Sequence, residues 1–352
     1  QKKMREFIII GGGFSALCAY FFLKKHNPLI ISPVSNYNFN NLKLIRRKNL
    51  EVNKLFSKKS QSYGNLNYEI DAKTILHDRL SLGGNSNIWG GFIDISTIPK
   101  NFINEFNDNK IELEKLDFLK NGYMSNVESI RQLRYNNEIL DASCFFQNIE
   151  NGFVNTISKK DNYLSITFLS FDSNKIITVK AKKILLAISF PQLIDLLIRS
   201  KIINENLSLN LKEFDHKFFK NFNSSLNKYS KTDSCVVKYD FNRSLKHFFG
   251  LKKNIDKLNF KIPFYVDQVF SNSKKNINLK LSINEKKITV RNNLFNFGDS
   301  LHYCDLNINN ENINSFLDNI SVNLIGVSVP FVNQKKPGPI SNDIVNNLIS
   351  KL

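Results

Sequence analysis

The stretch that decides the fold is Phe7-Ile-Ile-Ile-Gly-Gly-Gly-Phe-Ser-Ala16, near the start of a chain of 352 residues. Its β-branched apolar run is typical of a buried parallel strand. The three glycines predict a tight turn, and the apolar stretch that continues to Lys25 predicts a helix. Pro28 ends that helix, and Leu29-Ile-Ile31 predicts a further strand. These residues therefore predict a strand-helix-strand unit with two parallel strands.

The glycine turn matches the dinucleotide fingerprint Gly11-x-Gly13-x-x-Ala16. The first glycine allows the tight turn, Gly13 lets the backbone approach a pyrophosphate, and the small Ala16 lets the helix pack closely. Phe14 and Ser15 open the helix, whose free amides and positive dipole end attract phosphate. The turn thus predicts a dinucleotide site at these five residues, and the alternative is a tight turn without a ligand.

One part of that fingerprint is missing at the end of the second predicted strand. An acidic residue there would bind ribose hydroxyls, but the sequence has Ser32-Pro33. Ser32 is therefore a candidate that offers a single hydroxyl.

A second glycine-rich segment, residues 82–91, reads Leu-Gly-Gly-Asn-Ser-Asn-Ile-Trp-Gly-Gly and holds the only tryptophan of the chain. Its glycines and small polar residues suit the presentation of bare backbone to a flat ligand. The other interpretation is an ordinary glycine-rich turn above a buried indole. The candidate ligand-binding residues here are Gly83, Gly84, Asn85, Ser86, Asn87, Trp89 and Gly90.

Further elements follow from apolar periodicity. Three apolar runs between Val154 and Ile188 predict a three-stranded meander, with turns at Asp161-Asn162 and Asp172-Ser-Asn174. The segment Ile111 to Leu119 has a helical pattern. The last predicted elements are a helix after Pro191, a strand before Pro330 and a terminal helix after Pro339.

Composition excludes several classes of function. The formal net charge is +18, but the lysines are scattered in pairs without a nucleic-acid motif, so specific nucleic-acid binding is not expected. Four cysteines lack a Cys-x-x-Cys pair and five histidines lack metal-ligand spacing, so no metal is expected and a reducing cytoplasm fits. No apolar run is long enough to span a bilayer, and the basic start of the chain lacks the apolar core of an export signal.

The sequence resembles the glucose-methanol-choline flavoprotein oxidoreductases. The resemblance rests on Ile8–Ala16, the 82–91 segment, Ala181–Ile194 and the terminal Val327-Ser-Val-Pro330, in the family's order. The Gly-Gly-x-Ser-x-x-Trp spelling is similar to the sugar-oxidising branch that includes pyranose oxidase. Residues 205–300 show no match.

The fold class that this resemblance implies is α/β: an FAD-binding Rossmann-like parallel sheet with a β-meander, plus an inserted smaller α+β substrate domain. The FAD-binding domain is expected to be discontinuous, with a helical insertion and a substrate domain between its parts. The expected boundaries are 1–100, 146–204 and 296–352 for the FAD-binding domain, 101–145 for the helical insertion and 205–295 for the substrate domain.

The resemblance also implies an activity. It implies oxidation of an alcohol group of a small molecule, plausibly a sugar, glycan or sugar-containing metabolite, by hydride transfer to FAD. His302 would take the hydroxyl proton, and Asn342 is a substitute for its usual partner. Ser328, Pro339 and Ile340 would border the flavin.

Two departures leave alternatives open. Gly338-Pro339 stands where relatives carry a His or Asn, and the chain is shorter than typical relatives. A degenerate flavin-fold binding or scaffold protein, or a flavin mutase or isomerase without net oxidation, therefore remains an alternative.

The residue before the motif tryptophan gives a first prediction. Sugar-oxidising relatives commonly carry a histidine there that links to the flavin, whereas Ile88 has no nucleophile. We expect FAD to bind without a covalent bond, so acid denaturation followed by filtration should release all yellow colour. Flavin retained on the precipitated polypeptide would contradict this expectation.

Overall fold

The fold is described from a computed structural model of the chain. Its described residues are 4–34, 60–63, 66–69, 74–76, 82–87, 91–115, 123–125, 128–221, 235–240, 265–285, 287–290, 299–301 and 304–352.

This described part contains five α-helices: α1 (Phe14–Leu23), α2 (Lys100–Asp108), α3 (Phe190–Arg199), α4 (Ile313–Ile320) and α5 (Ile340–Ile349). Its strands are β1 (Arg5–Ile10), β2 (Leu29–Ser32), β3 (Ser60–Tyr63), β4 (Leu66–Glu69), β5 (Thr74–Leu76), β6 (Phe92–Asp94), β7 (Glu112–Lys115), β8 (Tyr123–Ser125), β9 (Ile130–Tyr135), β10 (Glu138–Ile139), β11 (Ile149–Lys160), β12 (Tyr163–Ser170), β13 (Lys175–Leu186), β14 (Leu207–Asn221), β15 (Cys235–Asp240), β16 (Tyr265–Ser282), β17 (Lys287–Val290), β18 (Asp299–Leu301), β19 (Asn307–Ile308), β20 (Glu311–Asn312) and β21 (Leu324–Gly326). Short 3₁₀ turns lie at Lys24–His26, Gly84–Asn87, Ile95–Thr97, Ala142–Cys144 and Val329–Phe331.

The central element is a parallel sheet in the order β21-β13-β1-β2-β11. In β1, Ile8 pairs with Leu29 of β2 on one side and with Ile184 of β13 on the other. The helix α1 connects β1 to β2, which is the crossover that parallel neighbours require. The strand-helix-strand prediction is confirmed.

Helices cover both faces of this parallel sheet, which explains why β1 is apolar at consecutive positions. Ile8 and Ile10 face a core that includes the meander, α3 and α4. Phe7 and Ile9 face a second core that includes α1, α2 and α5. Successive strand residues point to opposite faces, so both sets of side chains are buried.

The predicted meander is confirmed as β11, β12 and β13. Antiparallel pairing runs from Lys160 opposite Tyr163, and from Ser170 opposite Lys175. The strand β13 then continues into the parallel sheet beside β1, so the meander returns the chain to that sheet.

A large mixed sheet forms around the long antiparallel pair β14 and β16. Its members are β3, β4, β5, β8, β14, β15, β16, β17, β18, β19 and β20. A β-bulge interrupts the β14–β16 register between Phe214 and His216. Bulges bend a strand and redirect its side chains, and this one lies near the candidate site described below.

The third sheet corrects one sequence prediction. The helix predicted from Ile111 to Leu119 is wrong in its described part, because Glu112–Lys115 is the strand β7 and pairs with β9. Ile111 is buried and Glu112 is exposed, so the apolar and charged residues here alternate with period two. Residues 101–145, expected to be a helical insertion, thus contain α2 followed by β-sheet formed with β6.

The fold class is α/β, as the sequence predicts, with a parallel sheet and separate antiparallel pairings. The domain boundaries at 100, 145, 204 and 295 stay a prediction. Within the described residues, no helix is long and apolar enough to cross a membrane.

Candidate functional site

The candidate site lies at the carboxyl ends of the parallel strands. There, the N–H of Gly11 donates to the carbonyl of Ile31 at 2.9 Å, which joins the end of β1 to that of β2. The N–H of Ala187 donates to the carbonyl of Ile10 at 2.8 Å, which joins the end of β13 to that of β1. In open α/β sheets, ligands bind outside these carboxyl ends.

Packing requires the first two glycines of the turn. Gly11 has φ +112°, and a Cβ added there would lie 2.3 Å from the carbonyl oxygen of Ala187. A Cβ on Gly12 would lie 2.6 Å from Ser32 Oγ and 2.7 Å from Leu82 Cδ1. The absence of side chains here therefore lets the chain segments pack together.

Gly13 differs from its two neighbours. It is the N-cap of α1, with φ −88°, and no side chain caps the helix. A Cβ added at Gly13 would make only ordinary contacts, 3.6 Å from Gly83 O and 3.9 Å from Gly84 Cα. The first turn of α1 also lacks an acidic residue. This helix end suits an anion that approaches the backbone closely.

The two glycine segments, predicted separately from the sequence, are in direct contact. The N–H of Gly83 donates to the carbonyl of Gly12 at 2.6 Å. Ser86 is buried, its Oγ donates to the carbonyl of Gly83 at 2.6 Å, and it accepts the N–H of Ala142 at 3.0 Å. Ser86 therefore fixes the turn that faces α1.

Some predicted site residues cannot be placed against this geometry. Trp89 and Gly90 lie outside the described residues, as does His302. Asn85 and Asn87 belong to the 3₁₀ turn, but their side chains are outside the described part.

Ser32 is packed under the turn, with 1% of its surface exposed. Its partner in the β2–β11 register is Asn151, which sequence analysis did not single out. Asn151 Oδ1 accepts the N–H of Val34 at 2.9 Å, and its Nδ2 donates to Asp172 at 2.6 Å. The Asn151 amide thus holds the chain just after β2. The dinucleotide fingerprint expects an acidic residue at this place.

The terminal segment closes the other side of the site. Ser328 is buried and donates to the carbonyl of Ile188 at the end of β13. Pro339 is the N-cap of α5 and Ile340 its first residue, as predicted. Ser341 in the first turn of α5 donates to the carbonyl of Phe92, which ties α5 to β6.

Two buried polar atoms near these elements have no hydrogen-bond partner among the described residues: Asn342 Oδ1 and Ser189 Oγ. Asn342 is 3% exposed and lies in the first turn of α5. Ser189 is the N-cap of α3, in the short connection that follows the carboxyl end of β13 at Leu186. A buried polar atom without a partner is costly, so such atoms favour a ligand that would complete them.

A group of charged and polar residues, here called the polar seam, lies between the large mixed sheet and the first turn of α5. It consists of Asp94, Lys274, Gln334, Lys336 and Asp343. Lys336 Nζ lies 2.6 Å from Asp94 Oδ2, and Lys274 Nζ donates to the carbonyl of Gln334 at 2.7 Å. The seam thus collects residues from four separate parts of the chain.

The two carboxyls of the seam differ in pKa. Burial raises the pKa of Asp343 to about 7, although a hydrogen bond from Gln334 and the nearby Lys336 oppose that change. Burial acts in the same direction on Asp94, but hydrogen bonds from Lys336 and Ser96 outweigh it and lower the pKa of Asp94 to about 2. Asp94 is therefore ionised at neutral pH, whereas Asp343 changes its protonation state there.

The chain just after His302 is anchored to β14 through Glu213. The N–H of Cys304 donates to Glu213 Oε2 at 3.3 Å, and both residues are buried. Burial raises the pKa of the Cys304 thiol, and the negative charges of Glu213 and Asp343 raise it further. In the described residues, no group of three or more potential ligands is placed to hold a metal.

No protein-family model and no curated protein matches the sequence. Among solved structures, pyridoxine 4-oxidase from Mesorbium loti is similar over 98% of both chains, with 8% identity and a TM-score of 0.49. The p-nitrophenol 4-monooxygenase from Pseudomonas putida is similar over 82% of this chain and 72% of its own, with 10% identity and a TM-score of 0.32. The strand order and register given above, rather than these likenesses, establish the architecture.

Sequence analysis did not identify Asp343 and Gln334, because their local sequence contains no pattern that predicts burial. Asp343 directly follows Asn342, which was singled out only through the resemblance. Their importance arises from the burial and contacts that the tertiary structure creates.

The glycine geometry predicts different outcomes for two substitutions. Gly13→Ala should leave the free energy of unfolding within about 1 kcal/mol of wild type, because the new Cβ meets ordinary contacts. If the turn is the FAD site that the sequence predicts, the same change should weaken FAD binding at least about tenfold, because the methyl group enters the space above the helix end. Urea denaturation and fluorescence titration with FAD measure the two effects.

Gly11→Ala is the matched control. Its methyl group would collide with the Ala187 carbonyl at a positive φ, so we expect lost stability or no folded protein. Gly13→Ala protein that binds FAD as tightly as wild type would show that position 13 belongs to a turn only.

The raised pKa of Asp343 predicts that the free energy of unfolding depends on pH. An aspartate carboxyl in an unfolded chain has a pKa of about 3.8, whereas the pKa of Asp343 in the folded chain is about 7, so between these values the folded state binds more protons than the unfolded state. The contribution of the Asp343 carboxyl to the free energy of unfolding therefore falls as the pH rises, and it becomes constant above about pH 7. From pH 5 to pH 8, the loss is at most about 3 kcal/mol, from two pKa units at about 1.4 kcal/mol each.

The substitution Asp343→Asn removes the pH-dependent contribution of Asp343 to stability. Urea denaturation at pH 5 and pH 8 should show that the variant gains stability relative to wild type at the higher pH. An equal difference between the two proteins at both pH values would refute the raised pKa.

Proposed function

We propose that this protein binds FAD non-covalently at the carboxyl ends of the parallel strands and oxidises an alcohol group of a small molecule. The observation that carries the proposal is the contact between the two glycine segments, in which Gly83 donates to Gly12 while Gly13 leaves the end of α1 bare. The resemblance to glucose-methanol-choline oxidoreductases supports it. A sugar or sugar-containing metabolite is the substrate that this resemblance favours.

The residues present fit such a cofactor. Gly13, Phe14, Ser15 and Ala16 form a helix end without a cap or a nearby acid, which suits a pyrophosphate. Gly11 shapes this turn through its packing against Ala187.

A flat isoalloxazine ring would lie between the second glycine segment and the terminal segment. The residues proposed to border it are Gly83, Gly84, Asn85, Ser86, Asn87, Trp89, Gly90, Ser328, Pro339 and Ile340. Two buried hydroxyls support this proposal, because Ser86 donates to Gly83 of the second glycine segment and Ser328 donates to Ile188, which follows β13. The buried Oδ1 of Asn342 in the first turn of α5 has unused acceptor capacity.

FAD, when bound, supplies the acceptor for the hydride that leaves the substrate carbon. The chain's own part is to bind the substrate, orient it and take the hydroxyl proton. We assign the proton to His302, since an imidazole with a pKa near 6.5 suits this task at neutral pH. Asn342 would accept a hydrogen bond from the substrate or from this imidazole, which would satisfy its buried oxygen.

A second candidate function is binding without oxidation. It is favoured by the absence of an acid after β2, where Asn151 holds the chain instead, and by Gly338-Pro339 at the start of α5. A protein purified without yellow colour that binds no added FAD would favour this candidate. A yellow protein whose flavin no alcohol bleaches would favour a flavin mutase or isomerase.

The proposed role of His302 leads to a prediction. His302→Ala should keep the absorbance spectrum of bound FAD but slow anaerobic flavin reduction by at least about a hundredfold, because a general base contributes about 10²–10⁴-fold. The measurement is stopped-flow absorbance near 450 nm, with the alcohol that bleaches the wild-type flavin fastest in a panel of sugars and simple alcohols.

His26→Ala is the control for this measurement. His26 is an exposed histidine on the surface, paired with Glu6 at 3.1 Å, so its loss should leave the rate unchanged. Equal reduction rates in wild type and His302→Ala would remove His302 from the mechanism.

A further inference from the structure

Two contacts hold the start of α5 against β6. Lys336 Nζ lies 2.6 Å from Asp94 Oδ2, at the end of β6, and donates to Ser96 Oγ at 3.2 Å. Ser341, in the first turn of α5, donates to the carbonyl of Phe92 in the same strand. The chain that enters α5 is therefore attached to β6 both before the helix and inside its first turn.

Asp94 is a fixed acceptor at the end of β6. Its side chain is 7% exposed, and its Oδ1 accepts the N–H of Ser96 at 3.0 Å and the Ser96 hydroxyl at 2.7 Å. Its Oδ2 accepts from Lys336, whose side chain is 43% exposed. Loss of one member of such a pair leaves the other charge uncompensated, and for Asp94 that charge is in the interior.

The large mixed sheet holds the same segment before α5 from another direction. The Oε1 of Gln334 accepts the N–H of Phe214 in β14 at 3.2 Å, and the Gln334 carbonyl accepts Lys274 Nζ from β16 at 2.7 Å. Lys336 follows Gln334 by two residues, so its side chain reaches Asp94 from a backbone that is already anchored. The Asp94–Lys336 pair thus joins β6 to a segment that a different sheet fixes.

In sequence, the pair adjoins both segments that are proposed to border the flavin ring. Gly90 lies four residues before Asp94, and Pro339 lies three residues after Lys336. Four residues span at most about 14 Å and three at most about 11 Å, so the pair constrains the distance between the two segments. The turn at Gly11 is held by other contacts, to Ile31 and Ala187.

We propose that Asp94 and Lys336 are positioning residues whose ion pair sets the gap between the second glycine segment and the first turn of α5. The consequence for the ligand rests on the proposed function, since it requires that the flavin ring lie in this gap. In that case the pair supports the ring end of FAD, whereas the pyrophosphate end depends on the turn at Gly13.

The contact is tested without FAD, by hydrogen exchange in cofactor-free protein. Wild type is compared with Lys336→Met, with Lys336→Arg, which keeps the charge, and with Lys335→Met, which changes an exposed neighbour. In Lys336→Met, amides of residues 92–96 and 340–345 should exchange at least about tenfold faster, while those of α1 keep their rates. Lys336→Arg and Lys335→Met should match wild type. Unchanged exchange in Lys336→Met would overturn the proposal.

The effect on the ligand is tested by comparing the dissociation constants of FAD and ADP, since ADP carries the pyrophosphate but no flavin ring. Lys336→Met should weaken FAD binding at least about tenfold and change ADP binding less than about twofold. Lys336→Arg should restore the affinity for FAD. Equal weakening of both ligands would indicate a purely structural role and overturn the proposal.

A double variant separates position from stability. Lys336→Met leaves the Asp94 charge uncompensated, whereas Asp94→Asn combined with Lys336→Met removes that charge and keeps an oxygen for Ser96. The double variant should be more stable than Lys336→Met in urea denaturation and should still bind FAD at least about tenfold more weakly than wild type. Recovery of wild-type affinity for FAD in the double variant would refute the positioning role.

The outcomes also distinguish this proposal from the proposed function. If wild type binds FAD, and Lys336→Met binds both ligands as wild type does, the positioning role fails while the proposed function stands. If wild type binds neither FAD nor ADP, the proposed function fails, and the hydrogen-exchange comparison still decides whether the Asp94–Lys336 pair holds α5 against β6.

Discussion

The close approach of strand ends at Gly11 is the constraint on which the rest of the structure depends. The chain turns there with φ +112°, and the space that a Cβ would take is filled by the carbonyl oxygen of Ala187. This contact brings β13 against β1, while the N–H of Gly11 joins β1 to β2. β13 is also the last strand of the meander. The missing side chain of Gly11 therefore determines how the meander joins the parallel sheet. Any side chain there would separate the strands whose ends form the candidate site.

The three consecutive glycines therefore have different physical roles. Gly11 and Gly12 are required because neighbouring segments occupy the positions of their missing side chains. Gly13 has room for a Cβ, so packing alone does not explain its presence. A requirement for a bare backbone that faces an anion does explain it, since the helix end behind Gly13 has neither a cap nor an acidic residue. This division of roles separates stability from ligand binding within a single turn.

The polar seam shows how chemistry arises where distant segments meet. Asp343 lies in the first turn of α5, Gln334 precedes that helix, and Phe214 and Lys274 come from the long strands of the mixed sheet. The bulge in β14 turns the chain at this contact. Burial of a carboxyl without an ion pair moves its pKa into the physiological range, which is why such groups are common at functional sites. The seam thus adds an ionisable group next to the buried Asn342.

The sequence by itself determined the strand-helix-strand unit, the meander and the terminal helix, because each has a local apolar period and a turn signal such as Pro28, Asn174 or Pro339. It also identified both glycine segments, though not their contact. The local pattern wrongly predicted a helix at Glu112–Lys115. The short alternation of apolar and charged residues there forms a strand because β9 pairs with it. Only the tertiary structure decided that Gly83 lies on Gly12, that Asn151 holds the chain after β2 and that Asp343 is half-buried. The physical reason is that burial, register and pKa depend on neighbours far away in the chain, whereas helix and strand periods depend on residues close in sequence.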